Sequence, residues 1–503
     1  MSNKNNMKKV QIGNVKNLSD LSSIEKIKKQ VEQGELNTSQ TLIEIAKEIA
    51  SFFIEKSGIV FASVLINQVN HHFPVKDTKF EKLLRKTYYE IFGKTITKSA
   101  LTEAVETIEA YQEFTLKTDR HETFVRVAGT RSSIYIDLNR SLGEVVIVDE
   151  SGWSVSYNPL IKFRRPTTLW SLPIPHRNGS INDLAHFLNI SDEDKVLLYS
   201  FIIGCFSPTG PYPILILQGA QGTGKSFISN LIKRIVDPSF APIRSLPGSE
   251  QDLMISAQNS HLLAFDNLSG LTNSMSDSLC KLSTGGGFTT RKFYENTEEV
   301  IISALRPVIL NGIDFIARRP DLADRSLIIN LLPISKRQRK SQEDLMTEFE
   351  TLLPGILGAV LDALSIAIRE FNNVTLDSSP RMADFAKWAT AGETGFGFKS
   401  GTFMKGYDLN QRRVAEEAVE HDLLISAIVD CLSTTKKISC SATELLAILK
   451  KFVPNDVQSS KWFPVPNQLK DAMTRIQPIL SANGIKYQYV RSNGARIHTI
   501  ELQ

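Results

Sequence analysis

The chain has 503 residues, of which 42% are hydrophobic and 22% charged, and a formal net charge of +4. Its length allows about three domains, and its composition is that of ordinary globular protein rather than of a disordered or fibrous chain. The mild positive charge permits a nucleic-acid partner without arguing for one. Four scattered cysteines with no C-x-x-C suit a reducing compartment and give no zinc signature.

Residues 1–38 are polar and lysine-rich (Lys26, Lys28, Lys29) and read as a flexible basic tail or loose helix. The opening MSNKNNMKKVQIGNVKN lacks an apolar h-region, and no apolar run reaches membrane-spanning length. The expectation is a cytoplasmic protein with no membrane partner. Residues 39–120 read as a helical N-terminal domain. Thr38 or Ser39 caps a helix carrying Leu42, Ile45, Ala46 and Ile49, and periodic runs follow at 80–91 and 100–114. The run KFEKLLRKTYYEIFGK is either a nucleic-acid-facing helix or a solvated basic face over Phe80, Leu83 and Leu84. Residues 121–178 form a small β-rich module, with strand-like runs at 124–128, 134–138, 145–148 and 152–155. Arg164 and Arg165, near its end, either contact DNA or dock the module. Leu172-Pro173-Ile174-Pro175 is a linker.

Residues 179–340 carry the chemistry. After a helix starting at Ser191, the apolar strand Ile214–Leu217 runs into Gly219-Ala220-Gln221-Gly222-Thr223-Gly224-Lys225-Ser226. This fits G-x-x-x-x-G-K-[ST] throughout. Small residues let backbone N–H groups converge on a polyphosphate, and the helix that follows aims its positive end at the same anion. Lys225 reaches the β- and γ-phosphates, and the Ser226 hydroxyl ligates Mg²⁺, so the expected cofactors are ATP and Mg²⁺. A second buried strand, 261–265, ends in Asp266, the Walker B pattern in which a carboxylate holds the metal through water. Next comes a glycine-hinged hairpin, 282–302, with a basic-aromatic strand carrying Arg291 and Lys292 and a turn at Glu295-Asn296-Thr297. A third buried strand, 307–310, ends in Asn311. Arg318-Arg319-Pro320 and Asp321-Leu322-Ala323-Asp324-Arg325 precede a fourth, 327–331. Strand–helix alternation predicts a parallel αβα core whose strand ends bring Gly224, Lys225, Ser226, Asp266 and Asn311 to one edge.

Residues 341–430 read as a helical lid, with 392–401 as a loop. Residues 431–503 read as a winged-helix-like domain: a helix from Ser441, a second from Gln468 to Ile479 bearing Lys470 and Arg475, and a hairpin around Asn493-Gly494. Lys470, Arg475, Arg491 and Arg496 are its DNA-binding candidates, although such modules also bind proteins.

The order phosphate loop, Walker B, T-G-G-G hairpin, strand ending in Asn and then Arg resembles the superfamily III helicases, AAA+-related motors of viruses, phages and mobile elements. The phrases GPYPILIL, DNLSG, SDSLCKLSTGGGF, RPVILNGI, DLADRS and PRMADFA are similar to ATP-binding proteins of prophages and genomic islands. The fold so implied is α/β, a P-loop NTPase core of AAA+-like form. The resemblance gives Asn311 the role of sensor for the γ-phosphate or attacking water, and Arg325 that of an arginine finger for a neighbouring subunit. Arg291 and Lys292 become DNA-tracking residues of a hexameric ring that acts on single-stranded or forked DNA in replication. The family's Walker B ends in two acids, whereas here Asn267 follows Asp266. An amide takes no proton, so the water-activating base lies elsewhere, with Glu250 and Glu295 as candidates, or hydrolysis is slow. Slow hydrolysis points to the alternative, a nucleotide-controlled assembly switch.

Overall fold

The computed structural model describes residues 21–115, 118–291, 299–313, 316–317, 319–335, 340–421, 423–453, 466–492 and 495–503. They divide into two units. The first takes the chain up to Val148, Trp153–Ile174 and Thr289–Ile302; the second takes Asp149–Gly152, Pro175–Phe288 and Ser303–Gln503.

In the first unit, α1 (Leu21–Glu32) buries Ile24 and Ile27, so its residues form a docked helix rather than a loose tail. Helix α2 (Thr38–Ile49) starts at Asn37, one residue before the expected caps. The Asn37 side chain accepts from Gln40 N, and the Gln40 side chain answers on Asn37 N, a reciprocal cap. The expectation of a wholly helical domain fails after Ile49. Strands β1 (Ala50–Glu55), β2 (Val60–Ile66) and β3 (Val69–Pro74) follow at once. The reason is local: Asn67 and Gln68 both adopt positive φ, the two-residue turn that joins tight hairpins. Phe52, Ile54, Ala62 and Val64 then alternate onto one face. Helices α3 (Thr78–Phe92) and α4 (Lys98–Glu113) cover that face with Phe80, Leu84, Leu101 and Val105. Strand β4 (Arg120–His121) completes the sheet order β3-β2-β1-β4. The β module appears as expected, with β5 (Val127–Thr130), β6 (Ser133–Asp137), β7 (Glu144–Asp149) and β8 (Gly152–Tyr157) in sequential order. Arg165 grips buried Asp137 with two bonds of 2.7 and 2.8 Å, which makes it a structural residue of this module.

The second unit contains α5 (Asn182–Ala185), α6 (Asp192–Cys205), β9 (Ile214–Gln218), α7 (Lys225–Val236), α8 (Glu250–Asn259), β10 (Leu263–Leu268) and α9 (Asn273–Thr284). The expected hairpin is β11 (Gly287–Arg291) with β12 (Glu299–Ser303), most of which, Thr289–Ile302, is counted with the first unit; its turn and Lys292 lie outside the described residues. Then come β13 (Val308–Gly312), α10 (Pro320–Ala323) and β14 (Ser326–Asn330). Strands β10, β13, β9 and β14 lie in that order, all parallel, and Ile214–Leu217 and Val308–Leu310 are fully buried. Parallel sheets need both faces covered, which explains their unbroken apolar runs.

Helices α11 (Gln342–Glu370), α12 (Ala383–Gly392) and α13 (Thr402–His421) follow. The α11 stretch is long and apolar enough to cross a membrane, against the expectation that no run would be, but 61% of that window is buried inside the fold. Packing against α12 accounts for its hydrophobicity. Helix α13 closes the free side of β14. Asn410 Oδ1 accepts from Ile328 N at 3.2 Å, its Nδ2 donates to Ile328 O at 2.5 Å, and Gln411 Nε2 donates to Ser326 O at 3.1 Å. Asn410→Leu keeps the volume and removes both bonds to Ile328. It should cost about 1–3 kcal/mol, read as a lower midpoint in urea unfolding. An unchanged midpoint would mean that water satisfies this edge.

The C-terminal module comprises α14 (Leu423–Thr435), β15 (Lys437–Ser441), α15 (Ala442–Leu449), α16 (Leu469–Ala482), β16 (Ile485–Ser492) and β17 (Ala495–Leu502), with sheet order β15-β17-β16. The two helices and the hairpin match expectation. Strand β15 is not among the expected elements, and most of α14 falls within the expected lid, 341–430, rather than in this module. The turn Asn493-Gly494 lies outside the described residues.

Candidate functional site

The site forms where the parallel strands end. In register, Leu217 of β9 pairs with Asn311 of β13, and Phe265 of β10 pairs with Leu310. Asp266, Asn311 and the loop that follows Gln218 therefore share one edge. Gly222 and Gly224 lie at φ 80° and 85°, the left-handed region that side chains rarely enter, and this curls the loop before α7 begins at Lys225. A Cβ on Gly219 would stand 3.1 Å from the Leu331 carbonyl oxygen. Ala220, Gln221, Gly222 and Ser226 are exposed, Thr223 is buried, and Thr223 Oγ1 donates to Ala220 O at 2.9 Å. Asn189 braces the loop from outside, donating to Thr223 O and Leu332 O, both at 2.7 Å.

Lys225 Nζ folds back over the loop and donates to Gly219 O at 2.7 Å and Ala220 O at 3.0 Å. Burial lowers the pKa of its ammonium, and Asp266 opposes the shift. Ser226 Oγ donates to Asp266 Oδ2 at 2.5 Å. These two oxygens are the pair that would flank Mg²⁺, and the loop N–H groups and Lys225 would face a polyphosphate. The donor set therefore fits both groups.

Asn311 is fully buried. Its Oδ1 accepts from Ser229 Oγ of α7 at 2.9 Å, and its Nδ2 has no partner among the described residues. A buried, unpaired donor is costly, and a phosphate oxygen or a water bound there would relieve it. Asn267 sits at φ 58° beside a register shift in β10. Asn is among the residues that enter that left-handed conformation readily, so the backbone suits the amide that follows Asp266. Glu250 accepts from Ser278 Oγ at 2.7 Å and ties α8 to α9, while Glu295 lies outside the described residues. Arg244, which sequence reasoning missed, makes a parallel bridge beside Phe265: its N donates to Ala264 O, and its O accepts from Asp266 N, both at 3.0 Å. The signal there, a lone Arg after Pro242, is too short to read as a strand.

Arg325 is not free within its own chain. Its guanidinium pairs with Asp321 and donates to the Asp321 carbonyl at 2.8 Å, and its Nε is buried with no partner among the described residues. Arg319 pairs with Asp277 at 2.6 Å. Arg291 ends β11, apart in sequence from the loop edge, and Lys292 lies outside the described residues. In the C-terminal module, exposed Arg491 and Arg496 are direct cross-strand partners. Like charges placed opposite each other cost stability unless an anion answers them. Lys470 Nζ lies 5.1 Å over the Tyr489 ring, and Arg475 belongs to α16.

Residues 181–408 match the family model for the actinomycete integrative conjugative element replication protein, and residues 424–503 match the model for the AICE RepA C-terminal domain. Over these residues the chain belongs to the RepA replication proteins of mobile elements. The first match spans the phosphate-loop sheet and only the first turns of α13, and the second spans the C-terminal module of this RepA-family chain. No curated protein matches. Among solved structures it is similar to three of the NrS-1 C-terminal region. These are an A-form apo structure (14% identity, covering 92% of this chain and 98% of that one, TM-score 0.39), the A-form 305–718 structure (13%, 92% and 98%, 0.39) and the apo 305–718 structure (14%, 93% and 100%, 0.38).

Proposed function

We propose that this RepA-family protein is an ATP-driven DNA motor for replication of a mobile element, working as a ring on single-stranded or forked DNA in the cytoplasm. The observation that carries the reading is the 2.5 Å bond from Ser226 to Asp266 beneath a loop capped by Lys225. It joins a phosphate-binding loop to a strand-end carboxylate, the pair needed to hold Mg·ATP. The strand order supports a P-loop NTPase core, because β13 lies between β9 and β10 and carries Asn311 to the triphosphate end. The helix-strand-helix-helix-hairpin order of the C-terminal module supports a winged helix, with Lys470, Arg475, Arg491 and Arg496 as its DNA contacts. A second reading, an ATP-controlled assembly switch, is favoured by Asn267, which leaves the site without an adjacent base.

The experiment is ATP turnover with and without single-stranded and forked DNA across a salt series. The motor reading expects stimulation that weakens as salt rises. Tight ATP binding with slow turnover indifferent to DNA would move the assignment to the switch. Absence of nucleotide binding would remove both.

A further inference from the structure

We propose that Glu417 is the positioning residue through which nucleotide in the 219–226 loop is coupled to the C-terminal module; the inference rests on the nucleotide reading above. Glu417 lies on α13, far in sequence from the loop. Its Oε2 accepts from Gln218 Nε2, and its Oε1 accepts from Asn330 Nδ2, both at 3.1 Å. Gln218 is the residue immediately before Gly219, and Asn330 ends β14, paired in register with Gln218. One carboxylate thus pins the root of the loop and the end of the neighbouring strand to a helix from outside the sheet. A carboxylate accepts and never donates, so both amides must turn their nitrogens toward it. Gln218 Oε1 is left buried, with no partner among the described residues, a cost that this arrangement bears.

Sheet order separates this carboxylate from the reaction. Glu417 stands at β9 and β14, whereas Asp266 and Asn311 belong to β10 and β13 on the other side of β9. At about 4.8 Å per strand, β14 and β10 lie roughly 14 Å apart. Glu417 is therefore placed to hold the loop rather than to take a proton at the γ-phosphate.

Helix α13 gives the pin something to act on. Asn410 and Glu417 are two turns apart on one helix face, and both bond to β14 or its end. Arg413 ties the helix to buried Asp194 of α6 at 3.0 Å. Helix α13 also packs against α14 and α16, the latter carrying Lys470 and Arg475. A shift of Gln218 when the loop closes on phosphate would be met by Glu417 and passed along a single rigid helix.

The test is linkage between two ligands. Affinity for a fluorescent ATP analogue with Mg²⁺ is measured with and without a saturating single-stranded oligonucleotide. Oligonucleotide affinity is then measured with and without the analogue. In the wild type each ligand should change the other's Kd by the same factor, about 5- to 150-fold. Glu417→Ala should bring that factor to about 1–2 while each ligand still binds alone, and Glu417→Gln, which keeps one acceptor, should retain part of it. Full coupling in Glu417→Ala overturns the proposal, as does an uncoupled wild type that binds both ligands. Loss of analogue binding in both variants also overturns it, since Glu417 would then belong to the nucleotide pocket itself. A wild type that binds no analogue instead marks failure of the nucleotide reading.

Discussion

Lys225→Ala should abolish ATP hydrolysis by a protein that still folds. Lys225 Nζ now spends its bonds on the carbonyls of Gly219 and Ala220, so its removal takes nothing from the apolar core. With nucleotide bound, the ammonium would leave those carbonyls for the β- and γ-phosphates, where negative charge builds during transfer. Loss of one preorganised group of this kind costs about 10²–10³ in turnover, and more where the same group also holds the ground state. The assay is phosphate release at saturating Mg·ATP, paired with thermal unfolding to show an unchanged fold. Normal turnover by a folded variant would sink the phosphate-loop assignment and the motor with it.

Arg325→Ala should bind ATP nearly as the wild type does, yet lose hydrolysis by about 10³–10⁵, the effect of an arginine finger. In the structure the guanidinium is held by Asp321 of α10, leaving Nε buried with no partner among the described residues. A pairing inside one chain fits two roles. Asp321 either presents Arg325 to a neighbouring subunit or simply anchors the start of β14. Mixing separates them: Arg325→Ala with Lys225→Ala should regain some turnover in an assembled ring, because one supplies the loop and the other the arginine. If the variants assemble and exchange subunits but the mixture stays inactive, the shared-site claim fails. If Arg325→Ala alone keeps full activity, it is an anchoring ion pair, and Arg318 or Arg319 becomes the better finger.

The loop edge was the most legible part of the chain. Four apolar runs, 214–217, 261–265, 307–310 and 327–331, can be read directly, because a parallel strand buried on both faces leaves few polar residues to confuse the pattern. The antiparallel strands of residues 50–74 were hidden. Their alternation is broken by Phe52-Phe53-Ile54, and the turn at Asn67-Gln68 lacks the glycine that usually marks it. Glu417 was invisible for another reason. A carboxylate on an amphipathic helix looks like any solvated acid, and only the packing of α13 along β14 brings it to Gln218. The side chain of Arg325 likewise carries no sign in sequence of which way it turns.

The way α13 lies along β14 also bears on how the protein can be shortened. Asn410 and Gln411 occupy the hydrogen-bonding groups that a further strand would otherwise take. A fragment ending before Thr402 would keep every residue of the loop, Asp266 and Asn311, and would present β14 as a bare apolar edge. Such an edge recruits copies of itself. The helix that closes the sheet thus also shields that edge, and a fragment built around the loop should extend through His421 to keep it covered.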